Sequence, residues 1–216
     1  MRNQVLGMDQ DGKHTNARKE KRAPTKPAWL GSQEAGKTVV LASGRPINGV
    51  APLAKELEMD RFGGYMLSFN GARITRCSSG EVIYNRTLPP EIIAPVYDYV
   101  KTFPGVDIIS YTDTQILSGI SPNRYVEIES QINNMEIISV EHLPTALAFP
   151  VNKLLISGEP GLLETLMMPL QERYHGLLNI YRSEPFFLEI IPPKIAKEQS
   201  PHNPPHTTRL TAHSRP

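Results

Sequence analysis

Val39 to Arg45 reads VVLASGR, a continuous apolar run as far as Ala42 followed by a hydroxyl, a glycine and an arginine. Such a run fits a strand covered on both faces, and the abrupt change to polar residues marks where that strand ends and its loop opens a site. Upstream, Val5 to Met8 is a shorter apolar lead into Asp9, Gln10, Asp11 and Gly12, a second transition of the same kind. Gly7 weakens this lead as a strand, because glycine costs order and packs nothing. At a strand end the backbone curls and stops sending alternate side chains to opposite faces, so Asp9 and Asp11 can both reach one ligand. The two stretches together read as a divalent-metal and phosphate site.

Downstream of Pro46, Val50, Leu53, Ala54 and Leu57 keep helical spacing with Lys55, Glu56 and Glu58 outward. That spacing predicts a helix packed back on the sheet, and strand, loop and helix make half of a doubly wound unit. Tyr65 to Phe69 reads as another buried strand ending at Asn70 and Gly71; Ile74 and Val82 to Tyr84 flank the Ser78-Ser79-Gly80 turn as a hairpin. Between Gly12 and Val39, the polar stretch Lys13 to Lys26 runs into Pro24, Pro27 and Gly31. Proline inside a helix costs ~3 kcal/mol and glycine ~1 kcal/mol, so a helix here is expected to be short, shifted or broken.

From Thr87 the texture changes. Ile92, Val96, Tyr99 and Phe103 mark one helix face, and Val106 to Tyr111, Gln115 to Leu117, Tyr125 to Ile128 and Val151 to Ile156 read as strands. Leu162, Leu163, Leu166, Met167 and Leu170 mark a second helix, with Gly176 placed to terminate it. This mixture of α and β has the size of an independent module. Phe186 to Ile191 reads as a strand leading back to the first module, and Lys194 to Ser200 follows. The stretch PHNPPHTTRLTAHSRP is rich in proline and has no apolar period, so disorder is expected. Pro204 and Pro205 prevent His202 and His206 from forming a helical metal pair.

Composition excludes several classes. The 216 residues are 39% hydrophobic, enough for a packed core. A net charge of +1, from 23 basic and 22 acidic residues, provides no global field for nucleic acid or an anionic membrane. The basic run Arg18 to Arg22 lacks interleaved aromatics and reads as a solvated loop. The single Cys77 rules out an internal disulfide framework, favours a reducing compartment and reads as an idle thiol. No apolar run suits a secretory signal or a membrane span, and a cytoplasmic protein is expected.

At this point a resemblance enters. DxDG after an apolar lead, VVLASGRP, SFNGA at Ser68 to Ala72, VEIE, FPVNK, NIYRSEPFFLEI and KIAKEQS resemble the haloacid dehalogenase superfamily, specifically the Cof-type phosphatases with a large inserted cap, over roughly residues 5 to 200. The resemblance implies an α/β fold: a Rossmannoid parallel-sheet core, incomplete at its C-terminal end, with an α+β cap. Residues 1–84 and 183–200 would belong to the core, 85–182 to the cap and 201–216 to a disordered tail.

It also implies a Mg2+-dependent phosphatase acting on a small phosphorylated metabolite such as a sugar phosphate. Asp9 would be the nucleophile that forms an aspartyl-phosphate, and Asp11 would protonate the leaving group and later activate water. Ser43 and the Gly44 N–H would bind phosphoryl oxygens, and Lys197 would pair with the nucleophile and the transferring phosphate. Arg45 and Asn70 would contact the substrate.

The sequence departs from the family in three places. Lys13 replaces a threonine, Gln10 replaces an apolar residue behind the nucleophile, and the metal-binding segment GDxxND does not appear after Lys197. The ion would therefore rest on the Asp9 carboxylate and, by family analogy, the Asp11 carbonyl, and would bind more weakly. Val5 to Met8 would lie at an open sheet edge prone to self-association, beside a core more marginal than the cap. Two expectations follow: an active phosphatase, or a truncated or diverged non-catalytic chain that binds phosphometabolites weakly, associates through its open sheet edge or does neither.

Overall fold

The head of the chain builds the first of two sheets. Val5–Asp9 (β1), Thr38–Ala42 (β2) and Tyr65–Ser68 (β3) run parallel, and Arg73–Arg76 (β4) and Val82–Asn85 (β5) extend them antiparallel in the order β1-β2-β3-β4-β5. The structure, a computed structural model, describes residues 5–9 and 26–193. Parallel register sets Asp9 beside Ala42 and Ala42 beside Leu67, so the three parallel strands end level.

Val39 and Leu41 of β2 are fully buried, in one cluster with Trp29, Val50, Leu57 and Met59. Trp29 comes from Lys26–Glu34 (α1), a short helix, as expected. Pro27 sits in its first turn, where a missing N–H costs little, and the buried Gln33 amide donates to the Leu57 carbonyl at 2.7 Å. Ile47–Glu56 (α2) packs back on the sheet and buries Gly49, Val50 and Ala54. Met59–Phe62 (α3) is a single turn closed by Gly63 at φ 74°.

The second sheet is built from Asp107–Tyr111 (β6), Gln115–Ser118 (β7), Glu136–Ser139 (β8), Leu154–Ser157 (β9), Asn179–Glu184 (β10) and Phe187–Ile191 (β11), in the order β10-β11-β9-β6-β7-β8. Four helices accompany it: Ile93–Val100 (α4), Arg124–Asn133 (α5), Leu143–Ala146 (α6) and Pro160–Arg173 (α7). Period-2 alternation assigns its faces. Ile108, Leu154, Ile156, Leu188 and Ile190 pack with Val96, Leu143, Leu163 and Leu166, under α4, α6 and α7. Ile109, Tyr111, Leu155 and Phe187 point the other way and pack with Tyr125 and Val126 of α5 and with Phe69 and Ala72 from beyond β3. That second face is the one turned to the first sheet.

Several expectations are corrected here. Tyr125 to Ile128 is helical: Asn123 caps α5 by accepting the Tyr125 and Val126 N–H groups, and Tyr125, Val126, Glu129 and Asn133 form its buried face. The buried face of α4 is Ile93, Val96, Tyr97 and Val100, whereas Tyr99 and Phe103 are only partly buried and stack edge to face. The strand expected over Tyr65 to Phe69 stops at Ser68, because Phe69 turns left-handed at φ 51°. The strand expected from Val151 begins at Leu154, and α7 ends at Arg173, with Gly176 in the turn beyond at φ 77°. β8 and β10 are strands that the apolar pattern does not mark, and the boundary drawn between residues 182 and 183 falls inside β10. Phe187–Ile191 pairs with β9 and β10 within the second sheet. No helix among the described residues is long and apolar enough to cross a membrane.

Candidate functional site

Ligands of open α/β sheets bind outside the carboxyl ends of the parallel strands, and that edge gathers the sequence-singled residues. Asp9 is the last residue of β1. Ser43, Gly44 and Arg45 follow β2 directly, and Asn70 follows β3 in a 3-10 turn over Phe69–Gly71. Asp11 and Lys197 lie outside the described residues, as do Gln10, Lys13 and the 201–216 stretch.

The two loops are laced together by backbone hydrogen bonds. The Ser43 N–H donates to the Leu67 carbonyl at 2.9 Å, the Asn70 N–H to the Ser43 carbonyl at 3.0 Å, and the Phe69 N–H to the Arg45 carbonyl at 3.0 Å. The Ser43 hydroxyl oxygen accepts the Arg45 N–H at 3.1 Å, within an almost fully buried residue. Phe69, Asn70 and Gly71 all have positive φ, at 51°, 59° and 88°. Asparagine and glycine tolerate the left-handed region, but a bulky aromatic does so only where its surroundings hold it.

Those surroundings come from the second sheet. The Asn70 amide donates to Glu189 Oε2 at 2.9 Å, and the Tyr181 hydroxyl donates to the same oxygen at 2.9 Å. Lys153 Nζ stands 3.6 Å from Glu189 Oε1 and donates to the Gly44 carbonyl at 3.2 Å. Both side chains of this ion pair are buried, Lys153 at 3% exposure and Glu189 at 8%. The Tyr111 ring lies 5.3 Å from Lys153 Nζ and 5.8 Å from the Phe69 ring. Its hydroxyl donates to Glu129 at 2.8 Å, and burial, with the Glu129 charge adding, pushes its pKa well above the usual phenol value. Beside the turn a cavity of about 370 Å³, lined by Phe69, Arg73, Asn85, Tyr111 and Asn152 among others, opens between the two sheets.

The sequence reading missed Lys153, Glu189, Tyr111 and Tyr181. For the first two a signal was present: one charge inside an otherwise apolar stretch, VNKLLIS and FFLEII. Among the described residues no group of three or more metal-ligating side chains converges. Glu189 is already engaged by Lys153, Asn70 and Tyr181.

Comparison with known proteins identifies the family and the fold. Residues 8–203 match the family of haloacid dehalogenase-like hydrolases. A Streptococcus pyogenes protein provisionally assigned as a phosphatase is 28% identical over 170 residues, which are 75% of this chain and 60% of that protein. The chain thus spans 60% of the length of that relative. The crystal structure of a haloacid dehalogenase-like hydrolase from Bacteroides thetaiotaomicron superposes with a TM-score of 0.80 at 37% identity, covering 91% of this chain and 73% of that one. A sugar phosphatase of HAD subclass IIB shares the fold, with a TM-score of 0.62 at 20% identity over 88% of this chain and 70% of its own. The chain belongs to the haloacid dehalogenase-like hydrolases.

Proposed function

We propose that this chain carries the phosphoryl-transfer edge and the substrate-covering cap of a Mg2+-dependent phosphatase acting on a small phosphorylated metabolite such as a sugar phosphate. The observation that carries the reading is the shared carboxyl edge: Asp9 ends β1, Ser43 and Asn70 lie in the loops that follow β2 and β3, and Lys153 and Glu189 of the second sheet reach those two loops.

The Asp9 carboxylate attacks phosphorus, the bond to the leaving oxygen breaks, and Asp11 gives that oxygen its proton. Asp11, now a base, takes a proton from water as the water attacks the aspartyl-phosphate, which releases inorganic phosphate and restores Asp9. Ser43 donates its hydroxyl to a phosphoryl oxygen, oriented by the Arg45 N–H that it accepts. The Gly44 N–H, Arg45 and Lys197 contribute further positive groups around the same oxygens. Asn70, held by Glu189, and Arg45 orient the rest of the substrate.

The donor set fits magnesium in kind. Glu189 is committed elsewhere, so Asp9 and Asp11 would hold the ion, as hard oxygen donors suited to a cation that keeps several waters. When bound, it neutralises charge on the phosphoryl group.

The test is hydrolysis of an aryl phosphate by the purified chain, with magnesium or chelator and against Asp9→Asn. Turnover that needs both magnesium and Asp9 supports the proposal. No turnover above the Asp9→Asn background, in a chain shown by circular dichroism to be folded, overturns it.

A further inference from the structure

Lys153 and Glu189 are the buried charges that connect the second sheet to the carboxyl edge of the first. Replacing a buried ion pair by well-packed hydrophobic residues of similar volume is often harmless to stability or favourable, so stability alone does not account for keeping one. Its contacts are specific. Lys153 Nζ reaches the carbonyl of Gly44, inside the loop that would bind phosphate, and Glu189 Oε2 accepts the side-chain amide of Asn70, inside the neighbouring turn.

That turn needs support. Phe69 and Asn70 are both left-handed, Phe69 is buried in the cluster that the second sheet forms around Tyr111, and their two N–H groups bond back to Arg45 and Ser43. The pair is itself firmly seated. Lys153 is fixed by its carbonyl, which accepts the Ser110 hydroxyl at 3.0 Å. Its neighbour Asn152 donates to Asn85 Oδ1 at 2.7 Å and to the Arg86 carbonyl at 2.8 Å, in the segment that leaves the first sheet. The Tyr181 hydroxyl holds Glu189 from β10.

We propose that Lys153 and Glu189 are positioning residues: from the docked second sheet they grip the Gly44 carbonyl and the Asn70 amide, and so hold both carboxyl-edge loops in phosphate-binding geometry. Docking of the second sheet and assembly of the phosphate site become one event, without either charge touching the reacting atoms. The inference rests on the function proposed above for its consequence in catalysis, but not for its structural content.

The variant that tests it is Lys153→Met with Glu189→Gln, which removes both buried charges together and so avoids stranding one of them. Glu189→Gln alone and Lys153→Arg accompany it. Hydrogen exchange is measured on the whole chain at the Phe69 and Asn70 amides and, as reference, at Ile108 to Tyr111 in β6. Losing a charge-assisted hydrogen bond that holds the turn corresponds to about tenfold or more in local opening. The double variant should therefore melt no lower than wild type, exchange at least about tenfold faster at Phe69 and Asn70, and keep the β6 rates. Lys153→Arg should restore slow exchange in part.

Unchanged rates at Phe69 and Asn70 overturn the inference, and so does a uniform rise across β6, which would make the pair merely structural. Because exchange needs no turnover, failure of the phosphatase reading leaves this test intact. Where the chain does turn over aryl phosphate, the double variant should also weaken inhibition by inorganic phosphate at least about tenfold. Unchanged inhibition counts against it.

Discussion

Gly49→Ala brings two effects of opposite sign to one position. On propensity alone, alanine in the interior of α2 should stabilise the helix by ~1 kcal/mol. The packing opposes it: a Cβ at Gly49 would fall well inside van der Waals contact with Asn133 Oδ1 and lie 3.0 Å from Cβ and Cδ of Arg45. Asn133 cannot swing aside freely, because it is buried and its amide donates to the Glu129 carbonyl at 2.9 Å. Overpacking at so short an approach belongs at the upper end of its range, ~3 kcal/mol. The net loss is therefore roughly 2 kcal/mol, which for a chain of this size lowers Tm by roughly 4–8 °C. Thermal and urea unfolding followed by circular dichroism read this directly. Because α2 follows Arg45, the strain should also disturb the Ser43 to Arg45 loop and, under the proposed phosphatase activity, raise KM. The double variant Gly49→Ala with Asn133→Ala removes the obstruction, and its loss should fall short of the sum of the single losses by more than ~1 kcal/mol. A Gly49→Ala chain that is more stable than wild type would refute the close docking of α2 against α5.

Two further predictions follow from ionisable groups that folding buries in part or in full. Burial, with Asp60 adding, pushes the Cys77 thiol up to about 11, so at pH 8 a thiol reagent should label the native chain slowly and the denatured chain at once; equal rates would contradict this placement. Tyr111 keeps its proton in the folded chain above the pH near 10 where an unfolded phenol loses it. The unfolded state then binds fewer protons, so the stability from this group is complete below pH 10 and falls as pH rises further. Urea unfolding at successive pH values should show a shallower alkaline loss in Tyr111→Phe, and an identical slope in the two chains would count against it.

The parallel strands were readable because their chemistry is local. An apolar run covered on both faces, as in Val39 to Ala42, admits few other readings, and the change to polar residues at Ser43 marks the strand end. Failures arose where tertiary contacts decide. Tyr125 to Ile128 is a short run rich in aromatic and β-branched residues, which suits a strand, but Glu129 and Asn133, polar and buried, continue the face of a helix. A pattern that counts only apolar residues cannot see polar ones inside. β8 and β10 escaped for the converse reason: they are only partly buried, and their polar residues interrupt the apolar pattern. Within the site, Asp9, Ser43 and Asn70 could be placed from strand ends, whereas Lys153 and Glu189 could not. A charge in a strand normally reads as a solvated face, and only the pairing of β9 with β11 sets these two side by side.

The central claim is that Asp9 becomes phosphorylated. Rapid mixing of the chain with aryl phosphate and magnesium, acid quenching and mass spectrometry of the Asp9 peptide test it most directly. A phosphoryl group on that peptide, absent in Asp9→Asn and gone after the substrate is exhausted, is the predicted result. Turnover with no phosphoryl group on Asp9, or with one on another residue, would contradict the account.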